Sequence, residues 1–331
     1  MKLARRKFLH LAAGAVAGFV ALTPARSQTE SPTIAPPAST TQSSVSIPDF
    51  SGMWSHPYLP GFEPPSAGPG PVVNKSRRRQ IVDTDNRPLP AANAPLVSNT
   101  AQFVGDYTNP ILKHWAAEVV KKHAEIELGG VTAPTPSNQC WPEPVLYIFS
   151  NAGIQMLQQP EGIIIVYLQD HQVRHVRMNQ SHPAQVTPSW YGDSVGHYEG
   201  DTLVIDTVGV KIAPFSMIDW YGTPFTEALH LVERYRLLEY EATMEAVARD
   251  AKEHFQQPYP DNGPRPDPNY KGKGLQVQVT VEDEGAFTMP WSATVTFRRA
   301  LDEWGELVCT ENIRWSPGRD STVPQADRPD F

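Results

Sequence analysis

The sequence is poor in cysteine and in basic residues. Its 331 residues include two cysteines, 28 basic residues and 36 acidic residues. Neither cysteine has the spacing to a second cysteine or to a histidine that a zinc motif needs. The sequence also has no glycine-rich phosphate loop and no regular alternation of strands and helices, which argues against a parallel α/β fold.

The first 27 residues have the features of an export signal. The Arg-Arg-Lys-Phe-Leu run at residues 5–9 resembles the twin-arginine consensus, and an apolar run follows it that is shorter than the ~20 residues of a membrane-spanning helix. We expect export to the periplasm or beyond, with no membrane insertion after cleavage; an uncleaved anchor is the alternative. In that oxidising compartment Cys140 and Cys309 can form a disulfide, or they remain two buried thiols.

Removal of the signal makes the chain more acidic. It takes away five basic residues and no acidic ones, so 23 basic and 36 acidic residues remain, a formal charge of −13. This balance argues against nucleic acid and anionic membranes as partners. Twin-arginine export is typical of proteins that fold first, often around a cofactor, but the sequence identifies no cofactor.

Proline and small polar residues divide the remaining chain into a linker and one domain. Residues 28–47 are mostly Ser, Thr, Pro and Ala, which predicts a disordered linker. Residues 48–331 are predicted to form a single β-rich domain. Its first part, 48–100, is predicted to be a proline-rich arm with a short first strand and no other regular structure.

Two helices are predicted in this domain. Residues 110–128 begin with a proline that suits a first helical turn, and Ile111, Trp115 and Val119 recur at four-residue spacing as the expected buried stripe. The second helix is predicted over residues 239–255, which also carry an apolar stripe.

The rest of the domain has the pattern of antiparallel sheet. Residues 162–168 are a continuous apolar run, and residues 275–281 and 293–297 alternate between apolar and polar. These strands predict a mainly β fold, an antiparallel lipocalin-like barrel or sandwich with two accessory helices. Gly52 and Trp54 are similar to the Gly-x-Trp of the first strand in lipocalin-like barrels, where the indole closes one end.

A hairpin is predicted over residues 193–207. With residues 200–201 as its two-residue turn, His197, Glu199 and Asp206 share one face, and the opposite face is more apolar. The polar face either meets solvent or lines a cavity, because barrels often place polar residues around a ligand.

Several segments resemble a large, mostly uncharacterised family of exported bacterial proteins. The family is marked by a Trp/Tyr-Glu-Gly-Asp-Thr-Leu-Val-Val-Asp-Thr motif, and this chain has Tyr-Glu-Gly-Asp-Thr-Leu-Val-Ile-Asp-Thr at residues 198–207. The resemblance covers about residues 47–331 and implies no particular reaction. Similar proteins have a histidine after the proline at position 224, where this chain has Phe225.

Acid–base catalysis is the chemistry that these residues favour. A histidine titrates near neutral pH and a neighbouring carboxylate can orient it. The candidate catalytic residues are His182, Asp193, His197 and Glu199. The candidate ligand-binding residues are Arg174, Trp190, Tyr191 and Asp206.

Two other chemistries fit the sequence less well. His197 and Glu199 could join a third ligand around a metal ion, but their spacing matches no closed zinc motif. Residues 192–196 satisfy the Gly-x-Ser-x-Gly pattern of serine hydrolases, with Asp206 and His230 downstream. The hairpin that follows leaves no strand-to-helix turn, which that motif requires.

For the function, we expect a periplasmic enzyme of hydrolase or lyase type that acts on a small hydrophobic or aromatic molecule. A non-catalytic, lipocalin-like binding or carrier protein for a lipophilic ligand is the alternative. A structural protein of the envelope is the third possibility, and it requires the polar hairpin face to be flat and solvated.

Overall fold

The structure is a computed structural model that describes residues 47–57, 59–83, 87–99, 101–150, 153–253, 265–301 and 309. The export signal at 1–27 and all but the last residue of the linker lie outside the described residues, and both stay predictions.

Eleven strands, two α-helices and three short 3-10 helices make up the regular structure of these residues. In chain order the strands are β1 (Gly52–Ser55), β2 (Arg77–Arg79), β3 (Leu96–Ser98), β4 (Gly153–Gln158), β5 (Gly162–Tyr167), β6 (Val173–Met178), β7 (Asp193–Glu199), β8 (Thr202–Val208), β9 (His230–Leu238), β10 (Gly274–Glu282) and β11 (Trp291–Arg299). The helices are α1 (His114–Leu128) and α2 (Tyr240–Glu253).

Nine of the strands close into a barrel, in the order β1, β11, β10, β9, β8, β7, β6, β5, β4. β1 closes the barrel because it pairs with both β11 and β4. Neighbouring strands are antiparallel except for β6 and β7, which run parallel over three register pairs. The mainly β fold with two accessory helices is therefore confirmed, and its form is a barrel.

Alternate side chains of the strands point into the barrel. On β5, Ile163, Ile165 and Tyr167 are fully buried, while the residues between them are partly exposed. β5 ends at Tyr167 at one end of the barrel, and β7 brings Tyr198 to the other. These are the Tyr167 end and the Tyr198 end.

A buried segment, residues 145–149, packs against the Tyr167 end. All five of its side chains are at most 1% exposed. Phe149 contacts the inward-facing Tyr167, with ring centroids 6.0 Å apart. The backbone N–H of Val145 donates to the carbonyl of Trp190, which ties the segment to the connection between β6 and β7.

The predicted hairpin is confirmed with its register. β7 and β8 pair Glu199 with Thr202, His197 with Val204 and Val195 with Asp206. The turn is at residues 200–201, and Gly200 takes a positive φ of 63° that suits glycine.

Helix α1 is confirmed, but its predicted buried stripe is wrong. Trp115 and Val119 are 43% and 38% exposed, and the buried positions include Ala116, Val120 and His123. The small side chain of Ala116 allows the helix backbone to come close to the core, whereas the Trp115 ring reaches along the surface and donates its Nε1–H to the Gly285 carbonyl. Spacing alone did not distinguish this face from its neighbour.

The start of α1 also differs from the prediction. Leu112 forms an antiparallel bridge with Phe287, and the backbone N–H of Lys113 donates to the Ala286 carbonyl. These bonds to the connection between β10 and β11 keep the chain extended until His114, so the helix begins four residues after Pro110.

The arm over residues 48–100 contains more regular structure than predicted. β1 is the expected first strand and is part of the barrel. β2 and β3 form a separate two-stranded sheet, and α2 packs against β3 as well as against β10 and β11. The two-stranded sheet of the arm is therefore connected to the barrel through α2.

Cys140 and Cys309 form a disulfide, with their Cα atoms 5.4 Å apart. The backbone N–H of Cys309 also donates to Asp170, 2.6 Å away, beside the Tyr167 end. Among the described residues, no helix has the length and apolar character needed to cross a membrane.

Candidate functional site

A row of alternating imidazoles and carboxylates runs across the outer face of the barrel. Asp193 on β7 and Asp206 on β8 both point outward, because their strand neighbours Ser194 and Thr207 point in. The connection over 179–192 folds back over this face. It places His182 between the two carboxylates, with Nδ1 2.6 Å from Asp193 and Nε2 2.9 Å from Asp206.

The row continues at both ends. His230, the first residue of β9, places Nε2 3.0 Å from Asp206 and Nδ1 3.3 Å from Glu282 on β10. At the other end, Arg177 on β6 donates to Asp193 at 2.6 Å. The row therefore extends over the outer face of five neighbouring strands, and Asp206 in its middle accepts from two imidazoles. The order of the row is Arg177, Asp193, His182, Asp206, His230, Glu282.

The electrostatics of the row favour the protonated form of His230. Burial alone would raise the pKa of Asp206, but the hydrogen bonds from His182 and His230 outweigh it and lower that pKa. Partial burial would lower the pKa of His230, but the hydrogen bond and charge of Asp206, assisted by Glu282, raise it. A carboxylate only accepts, so a ring that faces a carboxylate at each nitrogen donates from both when it is charged.

The row is within reach of solvent. The side chains of His182 and His230 are 24% and 34% exposed. A histidine whose pKa is raised keeps its proton to a higher pH than an ordinary histidine and can release it to a bound molecule, which is the role of a general acid.

His197 and Glu199 lie on the same outer face but form a separate pair. His197 Nε2 is 3.2 Å from Glu199, and Arg234 on β9 donates to the same carboxylate. Both side chains of the pair are about half exposed. No hydrogen bond between described residues joins this pair to His182, so two of the four predicted catalytic residues come together in the row and the other two lie beside it.

Arg174, a predicted ligand-binding residue, lies inside the barrel. Its guanidinium donates to both carboxylate oxygens of Glu233 at 3.0 Å, to Ser194 at 3.0 Å and to Thr207 at 2.6 Å. Burial alone would lower the pKa of Arg174, and the charge of Glu233 reverses that effect and raises it. Arg174 is 1% exposed and its side chain is occupied by these partners, so it does not face a surface ligand.

The same placement bears on the serine hydrolase pattern. The Ser194 hydroxyl is inside the barrel, where it bonds to Arg174 and Thr207. Asp206 and His230 lie on the outer side of the barrel wall. These three residues therefore form no catalytic triad.

Trp190 and Tyr191 lie at the Tyr167 end. Tyr191 stacks on Tyr167 with ring centroids 5.7 Å apart and donates its hydroxyl to Gln172. Burial and the neighbouring Tyr167 raise the pKa of Tyr191. Trp190 packs edge to face against Trp141, at 5.9 Å between centroids.

An aromatic surface surrounds Trp190. Trp141 also meets Phe215, at 6.1 Å between ring centroids, and Lys211 lies 5.0 Å from the centre of the Trp190 ring. Trp141 is 38% exposed. Trp141, Trp190 and Phe215 together are called the aromatic rim.

Sequence reasoning missed three members of this arrangement. Glu282 and Arg177 end the row, and Glu233 is the inner partner of Arg174. Strand alternation contained a signal for them. Glu282 and Arg177 have outward parity on their strands. Glu233 has inward parity, between the inward-facing Leu231 and Tyr235.

Within the described part of the chain, no group of three or more His, Cys, Asp or Glu side chains is arranged to hold a metal ion. Comparisons with protein-family models, with curated proteins and with solved structures found no match to this chain.

Proposed function

We propose that this protein is an exported acid–base enzyme of hydrolase or lyase type, acting on a small hydrophobic or aromatic molecule. The observation that carries the proposal is the Asp206 carboxylate, which lies within 3.0 Å of both the His182 and the His230 imidazoles on an accessible face. Two imidazoles oriented by one ionised carboxylate can hold and release protons at a fixed place.

In this proposal His230 is the general acid. Its imidazolium gives a proton to the leaving oxygen of a bound ester or ether as the carbon–oxygen bond breaks. In hydrolysis the attacking water returns a proton to the row, and in elimination the carbon next to the activating group does so. Asp206 remains ionised throughout and orients both rings, which agrees with its lowered pKa, set by the His182 and His230 hydrogen bonds against the effect of burial.

The aromatic rim supports the substrate class. Trp190 is part of the same connection, 179–192, that carries His182. Edge-to-face rings that are partly exposed provide flat apolar surface for another ring. Lys211 beside Trp190 adds a positive charge, which suits an aromatic molecule that carries a phenolate or carboxylate oxygen.

The aromatic rim is also the observation that favours the second candidate, a carrier that binds the same kind of molecule without reaction. The two functions predict the same binding and differ in turnover. Titration of the tryptophan fluorescence with para-nitrophenol, in the protein and in Trp190→Ala, measures the binding that both require.

The test of the catalytic proposal uses two probes that release para-nitrophenolate. One is para-nitrophenyl acetate, which is hydrolysed, and the other is a β-(para-nitrophenoxy) ketone, which eliminates. We expect the protein to accelerate at least one of them and Asp206→Asn to lose about a hundredfold of that acceleration, the lower range of a general acid–base contribution. His175→Gln is the matched control, because His175 is an exposed histidine on the outer face of β6 outside the row.

Equal rates for the protein and Asp206→Asn on both probes would overturn the catalytic proposal. If the unaltered protein then binds para-nitrophenol and Trp190→Ala does not, the carrier function replaces the catalytic one.

The proposed location is the periplasm or the extracellular space. The Cys140–Cys309 disulfide supports it, because such bonds persist in oxidising compartments. Cell fractionation should recover the protein outside the cytoplasm, whereas replacement of both Arg5 and Arg6 by Lys should retain it inside. Equal export of the two forms would contradict the twin-arginine route.

A further inference from the structure

Arg174 connects four neighbouring strands from inside the barrel. It belongs to β6, and its guanidinium donates to Ser194 on β7, Thr207 on β8 and Glu233 on β9. Ser194 and Thr207 are also cross-strand partners whose hydroxyls lie 3.0 Å apart. One buried side chain therefore fixes the relative positions of the strands β6 to β9.

The outer row is built on those same strands. Arg174 holds Ser194 and Thr207. Ser194 directly follows the outward-facing Asp193, and Thr207 directly follows the outward-facing Asp206. Because successive residues of a strand point to opposite faces, a shift of Ser194 or Thr207 moves its outward neighbour by a similar amount. The inner network and the outer row therefore lie on opposite faces of the same strands.

The junction between β6 and β7 is where such a link matters most. Its parallel ladder has three register pairs, beginning at Val176 and Ser194, and Arg174 lies before the first of them. The Arg174 to Ser194 hydrogen bond therefore extends this junction past the end of its backbone pairing. On the outer side Arg177 to Asp193 crosses the same junction at 2.6 Å.

The burial of the network makes it rigid. Arg174 and Glu233 have side chains that are 1% and 0% exposed. The Tyr235 hydroxyl donates to Glu233 at 2.9 Å, so the acceptor oxygens of this carboxylate are used as well. A buried pair with its remaining donors and acceptors satisfied specifies one geometry, because any displacement leaves a charged group without compensation.

We propose that Arg174 is a positioning residue: from inside the barrel it sets the spacing of β6 to β9, and so it holds Asp193, Asp206 and His230 in register on the outer face. Its importance for catalysis rests on the proposed function, whereas the placement of the row does not. Hydrogen-bond geometry in the row is a property of the protein without substrate, and it can be measured without turnover.

The first test removes one hydroxyl of the network. Thr207→Val keeps the shape of the side chain but leaves Arg174 without its Nη2 acceptor. The matched control is Tyr198→Phe, which removes an inward-facing hydroxyl from β7 at the opposite end of the barrel, where it accepts from Nε2 of Gln158 at 2.8 Å.

The readout is the titration of the His230 ring, followed by long-range proton–nitrogen correlation spectra of the imidazoles. We expect Thr207→Val to move the midpoint of the His230 titration towards the ordinary value of a histidine, because the distance between the His230 ring and Asp206 is no longer fixed. Tyr198→Phe should leave the midpoint unchanged. If both variants lose stability and neither shifts the titration, Arg174 has only a structural role and the proposal is overturned.

The second test avoids leaving a buried charge alone. The double variant Arg174→Met with Glu233→Leu removes both charges, a change that buried pairs often tolerate. A folded double variant should show the His230 midpoint shifted further than Thr207→Val does, and an unchanged midpoint would contradict the proposal. A shift in titration together with no activity on either para-nitrophenolate probe would reject the proposed function and retain the positioning role.

Discussion

The guanidinium of Arg299 lies 5.1 Å from the centre of the Trp54 ring, where the last strand of the barrel meets the first. Trp54 is 2% exposed and donates its Nε1–H to the Phe50 carbonyl. Arg299 also donates to the carbonyl of Ser51 at 2.7 Å. The closing junction between β1 and β11 is thus reinforced by a cation over the Trp54 ring. The same guanidinium occupies the space beside Gly52, which explains why a glycine stands two positions before this tryptophan.

Gly52→Ala should destabilise the protein by about 3 kcal/mol, because Gly52 has a positive φ of 119° and an added Cβ would overlap the Arg299 guanidinium. Gly68→Ala is the control. Gly68 also has a positive φ, but nothing lies within 4 Å of an added Cβ, so only the backbone cost of about 1 kcal/mol is expected. Urea unfolding measures both, and equal losses would show that the overlap with Arg299 is relieved.

The rate of para-nitrophenolate release should fall as the pH rises through the pKa of His230. That pKa is raised by the hydrogen bond and charge of Asp206 and by Glu282, which together outweigh partial burial. Above it His230 has lost the proton that a general acid must donate. In Glu282→Gln one of the raising contacts is gone, so the falling limb of the pH–rate profile should move to lower pH. A limb that stays in place would assign the proton to another group.

Asp219→Asn should stabilise the protein at neutral and alkaline pH. Burial raises the pKa of Asp219 to about 7 from its ordinary value of 3.8, so the fold favours the neutral acid. The stability that Asp219 contributes is fully present below pH 3.8, the pKa of this group in the unfolded chain. It is lost as the pH rises from 3.8 to about 7. The gain in the variant can reach about 4 kcal/mol above that range.

The geometry of the site suits this substitution, because Oδ1 of Asp219 accepts from the backbone N–H groups of Tyr221 and Thr223, and an amide oxygen can do the same. The control is Asp49→Asn. Asp49 makes the same kind of turn bond to Ser51 but is exposed, so its replacement removes no buried charge and the gain in stability is not expected. The free energy of unfolding is measured with denaturant across the pH range for the unaltered protein and both variants. Parallel curves of this free energy against pH for all three proteins would contradict the prediction for Asp219.

Replacement of Cys140 and Cys309 by serine should reduce the free energy of unfolding by about 3–5 kcal/mol. The bond closes a loop between residues 169 apart, which restricts the unfolded chain strongly. Wild-type protein that has been reduced should unfold at the same denaturant concentration as the double variant. A reduced protein that is as stable as the oxidised one would show that loop closure contributes little.

The sequence predicted the fold where local rules determine it. The β7–β8 register followed from alternation and a Gly-Asp turn, since both depend on neighbouring residues only. The exposure of Trp115 did not follow, because four-residue spacing defines a stripe without saying which stripe meets the core. Barrel and sandwich share the same alternation, so closure through β1 is a property of long-range pairing.

The candidate site shows the same division. Asp206 was correctly placed on the polar face of the hairpin, with solvent or a cavity left open, but its partner His182 arrives through a connection whose path no periodicity describes. Arg174 was predicted to bind a ligand. Its real partner Glu233 lies on β9, 59 residues away, and only the closed barrel brings the two together.

The barrel has nine strands, and an odd ring cannot alternate in direction all the way round. At least one pair of neighbouring strands in such a ring must therefore be parallel. In this chain that defect falls between β6 and β7. A parallel junction cannot be spanned by a tight turn, so it requires a long return path, here residues 179–192. That path delivers His182 to the outer wall, so the odd number of strands is the topological origin of the proposed catalytic row.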